Sequence, residues 1–282
     1  NDKQKVKFVD CFNDLTKRSF STIQKIIDRI FDPKISTDAF ESVMKLMASI
    51  FSLNSEYENL VLQILSKGFL TKISFEHLAY AKFLFEYVIF ILMHNKDRQK
   101  DAINLLHTEL QALKETLDSK EKVPAVLDIL SAQILLVLSK QSDPNQENEI
   151  LTSFNSNYQD IFISFNNIQF FSSSTCRLLW KLDKVAGDWK LKCASLIPKE
   201  MKKITKASKK GDGFLKSKSV NLINLRNSIE FVCLDSKDQI VKNPIQNVSK
   251  EEMIEFINIC KEINDPITQD LINILSKVVE QG

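Results

Sequence analysis

Glycine and proline are scarce in this chain: five Gly and six Pro among 282 residues. Sandwiches, barrels and dinucleotide-binding folds draw heavily on the left-handed turns and phosphate loops that glycine provides. The shortage therefore turns the reading toward helices joined by short polar connections. Histidine is scarcer still, with only His77, His94 and His107. None stands three or four positions from another histidine or a cysteine, the spacing that places two ligands on one helix face. His107 and Glu109, two apart, point to different sides of a helix. No metal, cofactor or catalytic residue set is expected on these grounds. There is no Gly-Lys-Ser/Thr phosphate loop. Gly211-Asp212-Gly213 lacks the third glycine and the preceding strand of a dinucleotide fingerprint, and reads as a turn.

Cysteine is odd in number and scattered: Cys11, Cys176, Cys193, Cys233 and Cys260. No pair has zinc or redox spacing and each sits among apolar neighbours, so buried, reduced thiols are expected, and with them a nuclear or cytoplasmic setting. The chain opens Asn1-Asp2-Lys3 with neither Met nor an apolar leader, which reads as a piece of a longer intracellular protein. The most apolar stretch, Leu78 to Met93, is shorter than the roughly 20 residues of a membrane span. It also carries Lys82 and Glu86, so a buried helix is expected there and no membrane span.

Helical periodicity is what the sequence has in abundance. Phe40, Val43, Met44, Met47 and Ile50 step along one helix face that Ser36 or Thr37 would cap. Ser55 with Glu58 has the spacing of a capping box, and Gly68 stands where a left-handed residue ends a helix. A long helix follows from Ser74 to His94, and another from Asp97 through Ile103, Leu106, Leu110 and Leu113. Pro124 suits the first turn of an apolar helix reaching Leu138, and Asp143-Pro144 opens a further one through Phe165. Ser172 to Thr175 cap a helix that Gly187 ends, and Pro198 starts a short lysine-rich one. The stretch from Val220 to Leu234 fits a helix, although the alternation at Ile229, Phe231 and Cys233 leaves a strand open. Residues 236–248 read as a loop. Ser249 with Glu252 repeats the capping-box spacing, and Asp265-Pro266 opens the last helix.

Grouped in pairs, helices begin near Phe20, Ser55, Asp97 and Asn145. That interval is close to the roughly 40–47 residues of two-helix repeats. The expected fold is all-α, with antiparallel helix pairs stacked as a divergent HEAT- or armadillo-like α-solenoid; an irregular helical bundle is the alternative. Residues 1–196 form the helical-repeat body in this reading, 197–218 a basic helix or loop, and 219–282 a C-terminal repeat or cap.

One segment stands out by charge. Lys199, Lys202, Lys203, Lys206, Lys209, Lys210, Lys216 and Lys218 face only Glu200 and Asp212, a local +6 on a chain of net +2, which leaves −4 elsewhere. Such a run contacts an acidic protein, anionic lipid or a phosphate backbone, or serves as a nuclear import signal or a solvated face. It holds no arginine and one aromatic residue, Phe214, so base reading and single-strand stacking are poorly served. If it clamps nucleic acid, Lys181, Lys184, Lys190 and Lys192 should share a face with Lys202 and Lys209. Trp180 and Trp189 flank Gly187 and read as partner anchors or as inter-helix staples. The acidic first turn of Glu251, Glu252 and Glu255 reads as helix capping. Two functions remain: a non-enzymatic protein–protein interaction module within a larger scaffold, or a nucleic-acid-associated repeat protein using the lysine segment. The scaffold function requires an exposed apolar or aromatic patch.

Overall fold

The computed structural model describes residues 19–116, 122–209 and 219–281, apart from positions 236, 238, 242, 243, 246 and 264. Among these every regular element is helical, so the all-α expectation holds. The β pairing that occurs is an isolated antiparallel bridge between Leu234 and Ile240. The chain divides into two compact units, residues 1–116 and 117–282.

In the first unit, α1 (residues 19–27) runs into a 3-10 turn, Asp28–Phe31. Then follow α2 (Thr37–Phe51), α3 (Ser55–Leu65), the single turn α4 (Phe69–Lys72), α5 (Leu78–His94) and α6 (Gln99–Glu115). Helix α2 packs on α3 and α5, while α5 also meets α4 and α6. Ser36 caps α2 by accepting the Ala39 N–H at 3.3 Å. Asn54, not Ser55, caps α3. Its extended backbone lets Oδ1 accept both the Glu56 and Tyr57 amides at 3.0 Å, which leaves Ser55 as the first helical residue. Glu58 is thereby free of capping and pairs with Arg98 at 2.6 Å. Gly68 adopts the expected left-handed conformation at φ 72°. A methyl group there would lie 2.6 Å from the Ala112 Cβ, so glycine is needed for the close approach of α6 as well as for the backbone. Gly68 offers no side chain to cap α4, and the buried Glu109 of α6 does so from outside, accepting the Leu70 N–H.

The second unit comprises α7 (Lys122–Ser139), α8 (Pro144–Phe165), α9 (Ser173–Ala186), α10 (Trp189–Ala194), α11 (Ile197–Ser208), α12 (Ser219–Cys233), α13 (Lys250–Ile263) and α14 (Pro266–Gln281). Helix α7 packs on α9, α9 on α12 and α12 on α14; α8 lies on α9, α11 on α12 and α13, and α13 on α14. Asp143, Ser172 and Asp265 cap as their spacing implied. Ser249 and Glu252 form a true capping box, each side chain accepting the other's backbone N–H at 3.2 and 3.0 Å. Residues 219–233 are helix and not strand. Asn224, Leu225, Ser228, Ile229, Phe231 and Val232 are all buried, so α12 is covered nearly all round and its sequence loses the one-sided period of a surface helix.

Helix α7 has the length and apolar composition of a membrane-crossing helix, and among the described residues it alone does. More than half of it is buried by its neighbours. It also carries the buried Ser131, which links three helices: its Oγ lies 2.8 Å from the Tyr158 hydroxyl of α8 and 3.1 Å from the Thr175 hydroxyl of α9. A second polar anchor sits in an aromatic cluster. Trp189, fully buried, stacks on Phe170, meets Phe162 edge to face, and donates its indole N–H to Asn155 at 2.8 Å.

Candidate functional site

Helix α11 sorts its residues cleanly. Ile197, Glu200, Met201 and Ile204 are buried, while Lys199, Lys202, Lys203, Lys206 and Lys209 are exposed. Lys210, Lys216 and Lys218 lie outside the described residues, as do Gly211-Asp212-Gly213 and Cys11. Lys202, Lys206 and Lys209 fall at helical spacing on one face, and that face forms one wall of a cleft of about 300 Å³. The opposite wall is Glu252 and Glu255 on the first two turns of α13. Met201, Pro198 and Val248 give the cleft an apolar lining.

Two ion pairs cross this cleft. Lys202 reaches Glu252 at 3.2 Å, and Lys209 reaches Glu255 at 2.6 Å. Glu252 thus serves its own helix cap and a neighbouring helix together. The Ser249 backbone N–H, followed by Lys202, holds its carboxyl below the ordinary carboxylate range. Lys203 turns back to Glu200 of its own helix at 2.9 Å. Among the described residues Lys199 and Lys206 have no carboxylate partner within 4.0 Å. The five described lysines therefore face three carboxylates, and the segment is far less bare than its sequence implies.

The four further lysines of the clamp expectation do not line this cleft. Lys181 pairs with Glu147 of α8. Lys192 pairs with Asp188 and lies over the Trp189 ring, 5.3 Å from its centroid. Lys190 donates to the Leu234 carbonyl and sits 4.3 Å from the Trp180 ring, where burial holds its ammonium below the ordinary lysine value. Trp180 meets Phe231 edge to face, which makes it a half-buried staple between α9 and α12.

A second feature was hidden inside an apolar run. Helix α5 buries Leu84, Phe85, Val88, Ile89 and Leu92, yet presents Phe83 at 59% exposure and Phe90 at 47%. Tyr87 lies between them, so the three form a ridge at steps of four and three. His94 extends it: its Nδ1–H donates to the Phe90 carbonyl at 2.8 Å and its ring lies 4.1 Å from that of Phe90. The spacing of 83, 87, 90 and 94 is readable in the sequence, and the charged pair Lys82 and Glu86 on the same side is the signal that this face stays outside. His77, by contrast, is a buried structural group, stacked on Phe40 and hydrogen-bonded to Ser74. Among the described residues no three His, Cys, Asp or Glu side chains gather as a metal site would require. Comparison of the chain with protein-family models, with curated proteins and with solved structures finds no match.

Proposed function

We propose that this chain is a non-enzymatic protein-interaction module whose helix pairs stack as a divergent HEAT- or armadillo-like α-solenoid, and that it docks a partner on the α5 ridge. The exposure of Phe83 and Phe90 carries this reading. Two large rings left in water on the wet face of a helix whose other face is buried form the kind of aromatic anchor on which partners seat apolar side chains. Within the second unit, the succession of α7, α9, α12 and α14, each packed on the next, supports the stacked-pair arrangement.

The test is site-specific photo-crosslinking in cells that express the protein. A photoreactive side chain at position 83, 87 or 90 is expected to give a discrete adduct that the same group at Lys100, an exposed position of α6, does not give. Purified with its crosslinked partner's free form, a Phe90→Asp variant should lose about 2 kcal/mol of binding, near thirtyfold in affinity. Adducts no stronger from the ridge than from position 100 would remove the reading.

A second reading, phosphate-backbone binding through the lysine segment, is supported by Lys199 and Lys206, both exposed and without a carboxylate partner among the described residues. It requires salt-steep binding of duplex DNA or RNA that is lost when Lys199 and Lys206 are changed to Glu.

A further inference from the structure

We propose that the cleft between α11 and α13 binds an acidic segment of a partner protein that also carries an apolar side chain, with Glu252 and Glu255 acting as built-in competitors for its lysines. The site lies in the second unit and does not depend on the α5 ridge.

Three observations carry this. First, Lys202, Lys206 and Lys209 form a row that spans roughly 10 Å at the α-helical rise per residue. The carboxylates of Glu252 and Glu255 occupy only its two ends. Lys206, in the middle, lines the same cleft without a carboxylate among the described residues. Second, the groups now held by the row are carboxylates on a helix, so the geometry already accommodates acidic side chains on a peptide backbone. Third, the cleft of about 300 Å³ has an apolar lining in Met201, Pro198 and Val248, which suits an aliphatic side chain that a sugar–phosphate strand does not carry. The lining has neither arginine nor an aromatic ring, the groups that grip phosphate in a fork or stack bases.

The resident ion pairs are exposed, and such pairs are weak, so an incoming acidic segment displaces them at small cost. Their effect is to set a threshold. A single carboxylate gains little by replacing Glu252, whereas a segment that engages Lys206 and fills the apolar lining gains contacts the resident pairs do not make.

The experiment is fluorescence anisotropy at low salt with three labelled probes: a ten-residue peptide of alternating Glu-Glu and Leu-Leu pairs, a ten-residue all-Glu peptide, and a twenty-base-pair DNA duplex. Wild type is expected to bind the Glu/Leu peptide more tightly than the all-Glu peptide. Lys206→Glu should weaken that binding about tenfold, as charge reversal at a contacted position does. The double variant Glu252→Gln/Glu255→Gln should strengthen it about threefold by removing the competition. Lys206 and Glu255 are exposed and Glu252 is half-buried, glutamine can keep the capping-box bond to the Ser249 N–H, and unchanged helical circular dichroism confirms the fold. No binding of the Glu/Leu peptide by wild type or by the Gln double variant overturns the proposal. So does equal binding of both peptides, which would leave a bare electrostatic surface, or duplex DNA displacing the peptide with higher affinity.

Discussion

Removing the Ser131 hydroxyl should cost more than removing that of Tyr158, although serine gives up the smaller group. The reason lies in where each proton goes. Ser131 Oγ is 2.7 Å from the Leu127 carbonyl, which can only accept, so the one serine proton is committed there. Tyr158 and Thr175 must then both donate to the serine oxygen. Ser172 donates in turn to Thr175, so the chain of hydroxyls runs in one direction and ends on a backbone carbonyl. Ser131, Tyr158 and Thr175 are each fully buried. Ser131→Ala strands two buried donors at about 1–3 kcal/mol each, a total of about 2–6 kcal/mol. Tyr158→Phe strands none, because Ser131 keeps Thr175 as donor and Leu127 as acceptor; it should cost about 0.5–1.5 kcal/mol. In the double variant one of the two stranded donors is gone, so its cost should fall short of the sum by about 1–2 kcal/mol. Urea unfolding followed by tryptophan emission measures this directly, since Trp180 and Trp189 both belong to the unit that holds the network. Equal costs for the two single variants, or strict additivity in the double, would refute the assigned direction of the chain.

Gly68→Ala and Gly187→Ala separate backbone strain from crowding. Both glycines have φ 72°, but a methyl at 187 meets nothing within 4 Å whereas one at 68 meets Ala112 at 2.6 Å. Gly187→Ala should cost about 1–2 kcal/mol, and Gly68→Ala measurably more, by thermal or urea denaturation. Asn54→Ala should lose about 1 kcal/mol of stability while Ser55→Ala changes it by less than about 0.5 kcal/mol, reversing the order that the capping-box spacing implies. The thiols bear on alkaline stability. Burial pushes Cys176 and Cys193 far up, and raises Cys233 and Cys260 from 9.0 to about 12. Unfolded thiols therefore ionise first, so the stability they contribute is full below pH 9 and declines as pH climbs toward 12. A Cys233→Ala/Cys260→Ala variant should show a shallower fall in urea midpoint between pH 8 and 10.5. At pH 8 a thiol reagent should leave all four of these cysteines unlabelled until urea is added.

What the sequence disclosed were features decided within a few residues. Caps at Ser36, Asp143, Ser172, Ser249 and Asp265, and the left-handed glycines 68 and 187, each depend on a short side chain reaching an amide two or three positions away, or on one backbone conformation. Periodicity disclosed helices with one wet face. It failed at α12, which is covered nearly all round and kept a strand open; in α5 the run of apolar residues concealed the aromatic ridge, although Lys82 and Glu86 mark the same wet side. At α3 two good caps stood side by side. Choosing between Asn54 and Ser55 required the backbone angle at Asn54, which no local pattern encodes.

The charge of the lysine segment was misjudged for a different reason. A count along the chain weighs each lysine against acids near it in sequence, and near Lys202 and Lys209 there are only Glu200 and Asp212. Folding weighs them against acids near in space. Helix α13 supplies Glu252 from its first turn and Glu255 from its second, some fifty residues away. Glu252 has a separate reason to sit at a helix start, where the macrodipole and the capping box favour negative charge, and Glu255 follows on the same face. One local rule thus placed the acids, another placed the lysines on the wet face of α11, and the packing of α11 on α13 brought them together. Neither the pairing nor the cleft beneath it belongs to either segment alone. What distinguishes Lys206 from Lys202 and Lys209 is therefore its position opposite α13, since in sequence the three are equivalent.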